Sequence, residues 1–576
     1  MTGRKPCMTA KALFVIASRI SEGVTKIDDC SSQSSVTMKS ATYLSLIFTT
    51  CTVAAAPKAS QGSLKTSVNT SSGIFAPYFS DSQPDVASFL DIPYAESPVG
   101  DLRFAPPLPK RYPGDKVIRA TNLPAGCFQY VAPYLHGTVT DGPVTAAAFQ
   151  RNDFSNTTED CLRLSIFAPA KTTKNNSPPQ SLAKGKALPV IVWVHGGGYS
   201  FGGINVPFQL APKWVQRSQK HIVVQVQYRL NLLGLPNAAG LAETDTNFDL
   251  PFLDQRLAIE WVRANIANFG GDPNRITLWG ESAGAYSVDG YLFAWPHDPI
   301  VKGVIADSGN AVAIPSVLSD KNNHTTFSFV ADRLGCGNLS AAAELKCMRQ
   351  VPASKIKTYL QAGIGEGGAA DDAVAFGAFA DNVTIFSNYT ERIGKNGSKF
   401  PAQIPLLIGT NTNEGAAVVP YNFTGTNTAT ELPSDLAKVA QGFAVNLQCT
   451  TLEEVRVRSE AGATTYQYLY AGNFTNISPL PWLGAYHAAE LPLIFGTHDI
   501  DGPSTDFEQR VSERMQDLYL QFAIDPENGL RSAGWPATTA QLNHSRLIEW
   551  AAGHKVEQVI TAEALREECA RNGFAV

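Results

Sequence analysis

The chain has 576 residues, 44% apolar and 17% charged, with a formal net charge of −5. That length exceeds what one small core holds, so an enlarged α/β domain or two domains are both allowed. The composition is that of a globular protein, and mild acidity without basic runs gives no electrostatic footprint for nucleic acid.

Residues 1–37 are Ser-rich and without pattern. Residues 38–56 read as a signal peptide. Met38-Lys39 opens it, Ala41–Val53 is mostly apolar, and Ala54-Ala55-Ala56 offers small residues for cleavage before Pro57. The apolar stretch is too short to span a bilayer. Because a signal opens a nascent chain, translation is expected to start at Met38, which makes residues 1–37 a mis-assigned N-terminal extension. A weak anchor at Ala12–Ala17 is the alternative.

Export agrees with twelve Asn-x-Ser/Thr sequons, at Asn69, Asn156, Asn175, Asn323, Asn338, Asn382, Asn388, Asn396, Asn422, Asn473, Asn476 and Asn543. Asn476 precedes Ser478-Pro479, a poor context for modification. Cys7, Cys30 and Cys51 fall before the expected cleavage. Cys127, Cys161, Cys336, Cys347, Cys449 and Cys569 remain, an even number that favours three disulfides among 15 pairings. No CxxC or His/Cys cluster suggests zinc, so no metal and no cofactor is expected.

Along the mature chain, short apolar runs recur at Pro189–Val194, Ile222–Val226, Ile276–Trp279, Val304–Ala306 and Ile404–Ile408. Runs of that kind suit strands buried on both faces. Between the second and third, an amphipathic helix is expected from Leu253 to about Asn268. Its stripe is Leu253, Leu257, Trp261 and Val262, with Asp254, Arg256, Glu260 and Arg263 mostly on the other side. Lys171–Lys186 reads as a surface loop and residues 310–400 as a helical insertion. The alternation implies a mainly parallel sheet covered by helices.

Two segments carry chemistry. Gly196-Gly197-Gly198 directly follows the first strand, where glycines let backbone N–H groups face a ligand. Gly280-Glu281-Ser282-Ala283-Gly284 lies between a strand and a helix-like stretch, the arrangement of a nucleophile elbow. The N–H groups of Gly197, Gly198 and Ala283 would form an oxyanion hole for Ser282. A second GxSxG match, centred on Ser200, lacks the strand–turn–helix context. The bland readings are a tight turn and a flexible strand-end loop; together, in this order, the segments point to acyl transfer.

These motifs resemble the type-B carboxylesterase/lipase family, α/β-hydrolases that include cholinesterases and Candida-type fungal lipases. Further matches are Phe89–Ala95, Pro98–Phe104, Glu159–Leu162, Gln227–Leu230, Phe269–Pro273 and Trp535-Pro536. Asp91 stands where glycine is usual and Gln227 where asparagine is usual. The resemblance implies a single α/β-hydrolase domain over residues 57–576, with a mostly parallel central sheet flanked by helices and helical insertions.

It also implies the remaining site residues. Glu414, in a turn after the strand at Ile404–Ile408, matches the family acid, with Asn413 in place of the usual Asp. His487 matches the catalytic histidine segment, with Ala488 in place of glycine; His498 is the runner-up. The order serine, acid, histidine is the one this fold requires. Glu281 carries a charge beside the site or serves structure alone. The interval from Glu414 to His487 is shorter than is usual in the family, which implies a different pocket mouth. Cys127–Cys161, Cys336–Cys347 and Cys449–Cys569 are the implied disulfides.

The expected activity is hydrolysis of carboxylic esters through an acyl-enzyme on Ser282, in a secreted enzyme. A Candida-type triacylglycerol lipase and a non-catalytic adhesion scaffold are the alternatives. The loop between Cys127 and Cys161 has Tyr130, Tyr134, Phe149 and Phe154 but no Trp, which argues against choline esters. Its Gly142–Phe149 segment reads as a lid with an apolar face or as a fixed loop. The implied partner is a small-molecule ester, with no nucleic acid and no stable membrane anchor; a lipid interface stays open.

Overall fold

A computed structural model describes residues 67–112, 114–130, 155–173, 187–393, 403–419 and 431–575. The extension at 1–37, the leader at 38–56, the whole Gly142–Phe149 lid segment and three sequons (Asn175, Asn396 and Asn422) lie outside them.

The inner strands follow directly from the apolar runs. The central sheet comprises β1 (Tyr78–Ser80), β2 (Gln83–Pro93), β3 (Arg163–Pro169), β4 (Leu188–Val194), β5 (Ile222–Val226), β6 (Gly271–Glu281), β7 (Gly303–Asp307), β8 (Leu406–Asn411), β9 (Thr465–Tyr470), β10 (Arg546–Trp550) and β11 (Glu557–Thr561). Their spatial order is β11-β10-β9-β8-β7-β6-β4-β5-β3-β2-β1. Strands β4 to β10 run parallel, and antiparallel neighbours close both edges. Along β4, Val190, Val192 and Val194 enter one apolar core while Ile191 and Trp193 enter the other. A strand with both faces covered reads as an unbroken apolar run.

The helices that matter for the site are α1 (Leu250–Asn265), α2 (Ala283–Ala294), α3 (Thr325–Arg333), α4 (Ala341–Gln350), α5 (Ala353–Gln361), α6 (Ser434–Glu460), α7 (Leu491–Phe495) and α8 (Asp506–Ile524). Helix α1 starts three residues before the expected Leu253, because Pro251 suits a first turn that needs no N–H donor. A 3-10 turn, Ile266–Phe269, extends it to left-handed Gly270. Its buried face differs from the expected stripe. Leu253 and Leu257 are only half-buried, whereas Asp254 is buried. The reason is Arg229. Its Nε and Nη2 bind both Asp254 oxygens at 2.8 and 2.6 Å, and its own N–H donates to Asp254 Oδ2 at 3.0 Å. A charge paired and hydrogen-bonded in this way can sit in a core.

Residues 310–400 carry a 3-10 turn at Ala311–Val317 and helices α3 to α5, in keeping with a helical insertion. Lys171 ends in a short helical turn, Ala170–Thr173, rather than a loop; the rest of that expected loop lies outside the described residues. Disulfides join Cys127 to Cys161, Cys336 to Cys347 and Cys449 to Cys569. Among the described residues no helix is long and apolar enough to cross a membrane.

The sequons divide by environment. Eight of the described asparagines, Asn69, Asn156, Asn323, Asn338, Asn382, Asn388, Asn473 and Asn543, are exposed. Asn476 is half-buried, and its Nδ2 donates to His498 O at 2.7 Å and Glu508 Oε1 at 3.0 Å. A glycan replaces one of the two hydrogens on that nitrogen, so at least one of these bonds would be lost in a crowded, half-buried site. Peptide mapping after deglycosylation in heavy-oxygen water is expected to find Asn476 unmodified; label at Asn476 would contradict this placement.

Candidate active site

In a parallel sheet of this kind the loops at the carboxyl ends of neighbouring strands meet over one edge. Here β4 ends at Val194 before the glycine loop, β6 at Glu281 before Ser282, β7 at Asp307 before Ser308, and β8 at Asn411 before Glu414.

Ser282 occupies the turn between β6 and α2, at φ 55° and ψ −123°, a strained conformation for a residue with a side chain. Its N–H donates to Asp307 O at 2.9 Å, which ties the elbow to β7. The flanking glycines are needed for close approach. A Cβ on Gly280 would overlap the Gly284 carbonyl, and one on Gly284 would overlap the Val194 carbonyl. Crowding, more than conformational freedom, therefore explains the glycines. Ser282 itself is half-buried, and Ala283 opens helix α2, whose N-terminus favours negative charge.

The glycine loop closes over the elbow. A Cβ on Gly196 would meet the Glu281 carboxylate and Ser282 Cβ, so these two loops touch. The N–H groups of Gly197, Gly198 and Ala283 donate to no acceptor among the described residues.

Glu414 is fully buried and held on three sides. Its Oε1 accepts from Ser308 Oγ at 2.6 Å and from Asn411 N at 2.7 Å, and its Oε2 accepts from His487 Nδ1 at 2.6 Å. Asn413, where the family has Asp, donates from Nδ2 to Trp482 O at 2.8 Å and Leu483 O at 2.7 Å. An aspartate could not make those two bonds; the amide ties the acid turn to the segment leading to His487. Ala488 follows at φ 70°, and Asp91 sits at φ 59°, so both departures from family glycines occupy left-handed backbone. That conformation explains the usual glycine and costs a residue with a Cβ about 1–2 kcal/mol.

His487 Nε2 lies 3.1 Å from Glu281 Oε1. Ser282 Oγ makes no hydrogen bond among the described residues, so the structure brings the glycine loop, elbow, Glu414 and His487 together without a direct Ser282–His487 bond. The neighbouring Ser200 Oγ turns to Gly198 O, and His498 is engaged with Ser504 Oγ and Glu508; neither rival joins this cluster. Ser308 and Asn411 were not foreseen as site residues. The Asp307-Ser308-Gly309 turn at a strand end was the available signal.

Electrostatics concentrate on His487. Burial opposes its imidazolium, but the Glu281 and Glu414 carboxylates outweigh that and raise its pKa to about 9. Burial, with help from Glu414 and Asp307 and against His487, raises Glu281 to about 7. His195, stacked on Tyr228, is pushed down by burial to about 4 and stays neutral.

Were His487 to act as a general base it would have to be neutral, so kcat/KM would rise as pH passes through its ionisation. Glu281 favours the charged imidazole; Glu281→Gln removes that attraction, lowers the His487 pKa and moves the acidic limb to lower pH. A kcat/KM–pH profile checks this, and a limb that stays put or moves upward would contradict it.

Among the described residues no cluster of His, Cys, Asp and Glu could hold a metal ion. A serine at a strand–helix elbow, with a His–Glu pair that follows later strands reaching the residue beside it, Glu281, defines the class: an α/β-hydrolase. The Carboxylesterase family pattern matches residues 64–442. The chain is 65% identical over 509 residues to Secreted lipase 5 of Gibberella zeae, covering 88% of this chain and 94% of that protein. It is 42% identical to the Chlorogenic acid esterase of Aspergillus niger, with 87% and 93% covered, and 28% identical to rat Carboxylesterase 1C, with 78% and 83% covered. The chain therefore belongs to the carboxylesterase family, and it is a carboxylic ester hydrolase that acts on small-molecule esters.

Proposed function

We propose that Ser282 is the nucleophile, His487 the general base and acid, and Glu414 its orienting partner. The observation that carries this is the buried Glu414–His487 bond beside the Ser282 elbow. His487 Nε2 turns from Glu281 to Ser282 and takes the Oγ proton as Oγ attacks the ester carbonyl. The N–H groups of Gly197, Gly198 and Ala283 bind the oxyanion, each worth roughly 3 kcal/mol of barrier. His487 then protonates the leaving alcohol. Water, deprotonated by the same nitrogen, cleaves the acyl-enzyme. Glu281 stabilises the imidazolium formed at both stages.

The enzyme is proposed to be secreted after removal of residues 38–56, to fold as one domain from residue 57, and to use no cofactor. Exposed sequons, three disulfides and a relative named as a secreted lipase support export. Fatty or aromatic carboxylic esters are the proposed substrates. The lipase relative at 65% identity favours a second reading, long-chain lipase action at a lipid interface. A p-nitrophenyl ester series from acetate to palmitate, run with Ser282→Ala as control, decides. Short-chain preference supports an esterase with a confined acyl pocket and long-chain preference the lipase. Hydrolysis that persists in the variant contradicts the assignment of Ser282.

A further inference from the structure

Helix α6 returns across the acid turn, and two contacts set its position. Gly415 lies so close to Ala440 that a Cβ there would overlap the Ala440 backbone. Further along, Gln448 Nε2 donates to Asn411 O at 3.2 Å. Between these anchors Phe443 stands edge-on to the His487 ring, with centroids 5.7 Å apart and planes at 89°. Its core-facing neighbours Ala444, Val445 and Leu447 are buried. Phe443 still has 36% of its surface exposed, and Val439, one turn earlier on the same face, has 60%. Gly442 lies beside them, and nothing stands within 4 Å of where its Cβ would be. A mid-helix glycine weakens a helix, and no neighbour here requires it.

A large apolar ring that touches the reacting base while facing solvent suits substrate contact better than core packing. The side of the substrate follows from the proposed mechanism, on which this inference rests. The acyl carbonyl oxygen belongs at Gly197, Gly198 and Ala283, whereas His487 hands its proton to the leaving oxygen. A side chain on the flank of His487 therefore lies beside the alcohol.

We propose that Phe443 is a specificity-determining wall for the alcohol half of the ester, extended by Val439 and the open strip at Gly442. The enzyme then favours esters of bulky apolar or aromatic alcohols. Once the alcohol has left, Phe443 touches the site only through His487, so any effect of its loss on hydrolysis of the acyl-enzyme is the same for every alcohol.

The test compares the purified enzyme with Phe443→Ala on two series: butyrate esters of methanol, phenol and 1-naphthol, and p-nitrophenyl esters of increasing acyl length. The ratio of kcat/KM for naphthyl over methyl butyrate is expected to fall roughly tenfold or more in the variant. Any change in deacylation of the shared butyryl-enzyme is common to all three esters and cancels in this ratio, and the acyl-length profile is expected to hold. Equal losses for methyl and naphthyl esters, or an altered acyl profile, overturn the proposal. Gly442→Leu fills the strip without removing the His487 contact and is expected to depress the naphthyl ester alone; no discrimination there also overturns it. Fluorophosphonate titration of the same samples separates the two readings. Absent labelling sinks the serine-esterase mechanism, and full labelling without alcohol discrimination sinks this proposal alone.

Discussion

Ester hydrolysis by Ser282→Ala falls about 10⁴- to 10⁶-fold, with no loss of thermal stability. The loss is large because, in the proposed mechanism, Oγ forms the covalent bond, and neither the proposed oxyanion donors nor His487 can replace it. Stability is spared because Oγ makes no hydrogen bond among the described residues, whereas the Ser282 N–H bond to Asp307 O belongs to the backbone and survives. Steady-state turnover and a thermal melt on the same preparation check both halves. A variant that is inactive and also unfolds early would show that Ser282 is needed for the fold.

The second large effect is on stability. Arg229→Ala leaves the Asp254 carboxylate, fully buried, without its guanidinium, and also removes the bond from Nη1 to Ala105 O. Breaking a buried pair from one side costs about 3–5 kcal/mol, because a charge stays behind in the core. Urea unfolding is expected to show a loss of that order. The double variant Arg229→Met/Asp254→Leu, which leaves no charge behind, is expected to regain most of it. A loss below about 1 kcal/mol in the single variant would mean that water reaches Asp254.

The same pair shows where sequence reading stops. Asp254 looked solvent-facing because its type is polar and its partner lies 25 positions away. Periodicity along one helix cannot reveal a charge supplied by another segment. The inner strands were legible because burial on both faces leaves an unbroken apolar run. Strand β8 begins at Leu406 rather than Ile404 and continues through Thr410 and Asn411, polar residues that pair with Leu469 and Tyr470. Edge strands such as Glu557–Thr561, exposed at alternate positions, carry no such run.

In the site, the serine elbow and glycine loop could be read locally as motifs, although part of the crowding their glycines relieve comes from each other, Gly196 against Glu281 and Gly284 against Val194. Glu414 and His487 came from the family resemblance and chain order, because nothing near either residue marks it as special. Ser308 acts through a bond to Glu414 that only the juxtaposition of β7 and β8 creates, so its strand-end turn alone does not assign the role; the Asn411 bond is local to the Glu414 turn but comes from a backbone N–H, which no side-chain type signals.

The most direct test of the account is to react the native enzyme with a fluorophosphonate and locate the adduct by peptide mass mapping. One adduct per chain is expected, on the peptide that contains Ser282, forming faster as pH rises through the His487 ionisation. An adduct on Ser200, or full esterase activity in enzyme that takes up no label, would contradict it.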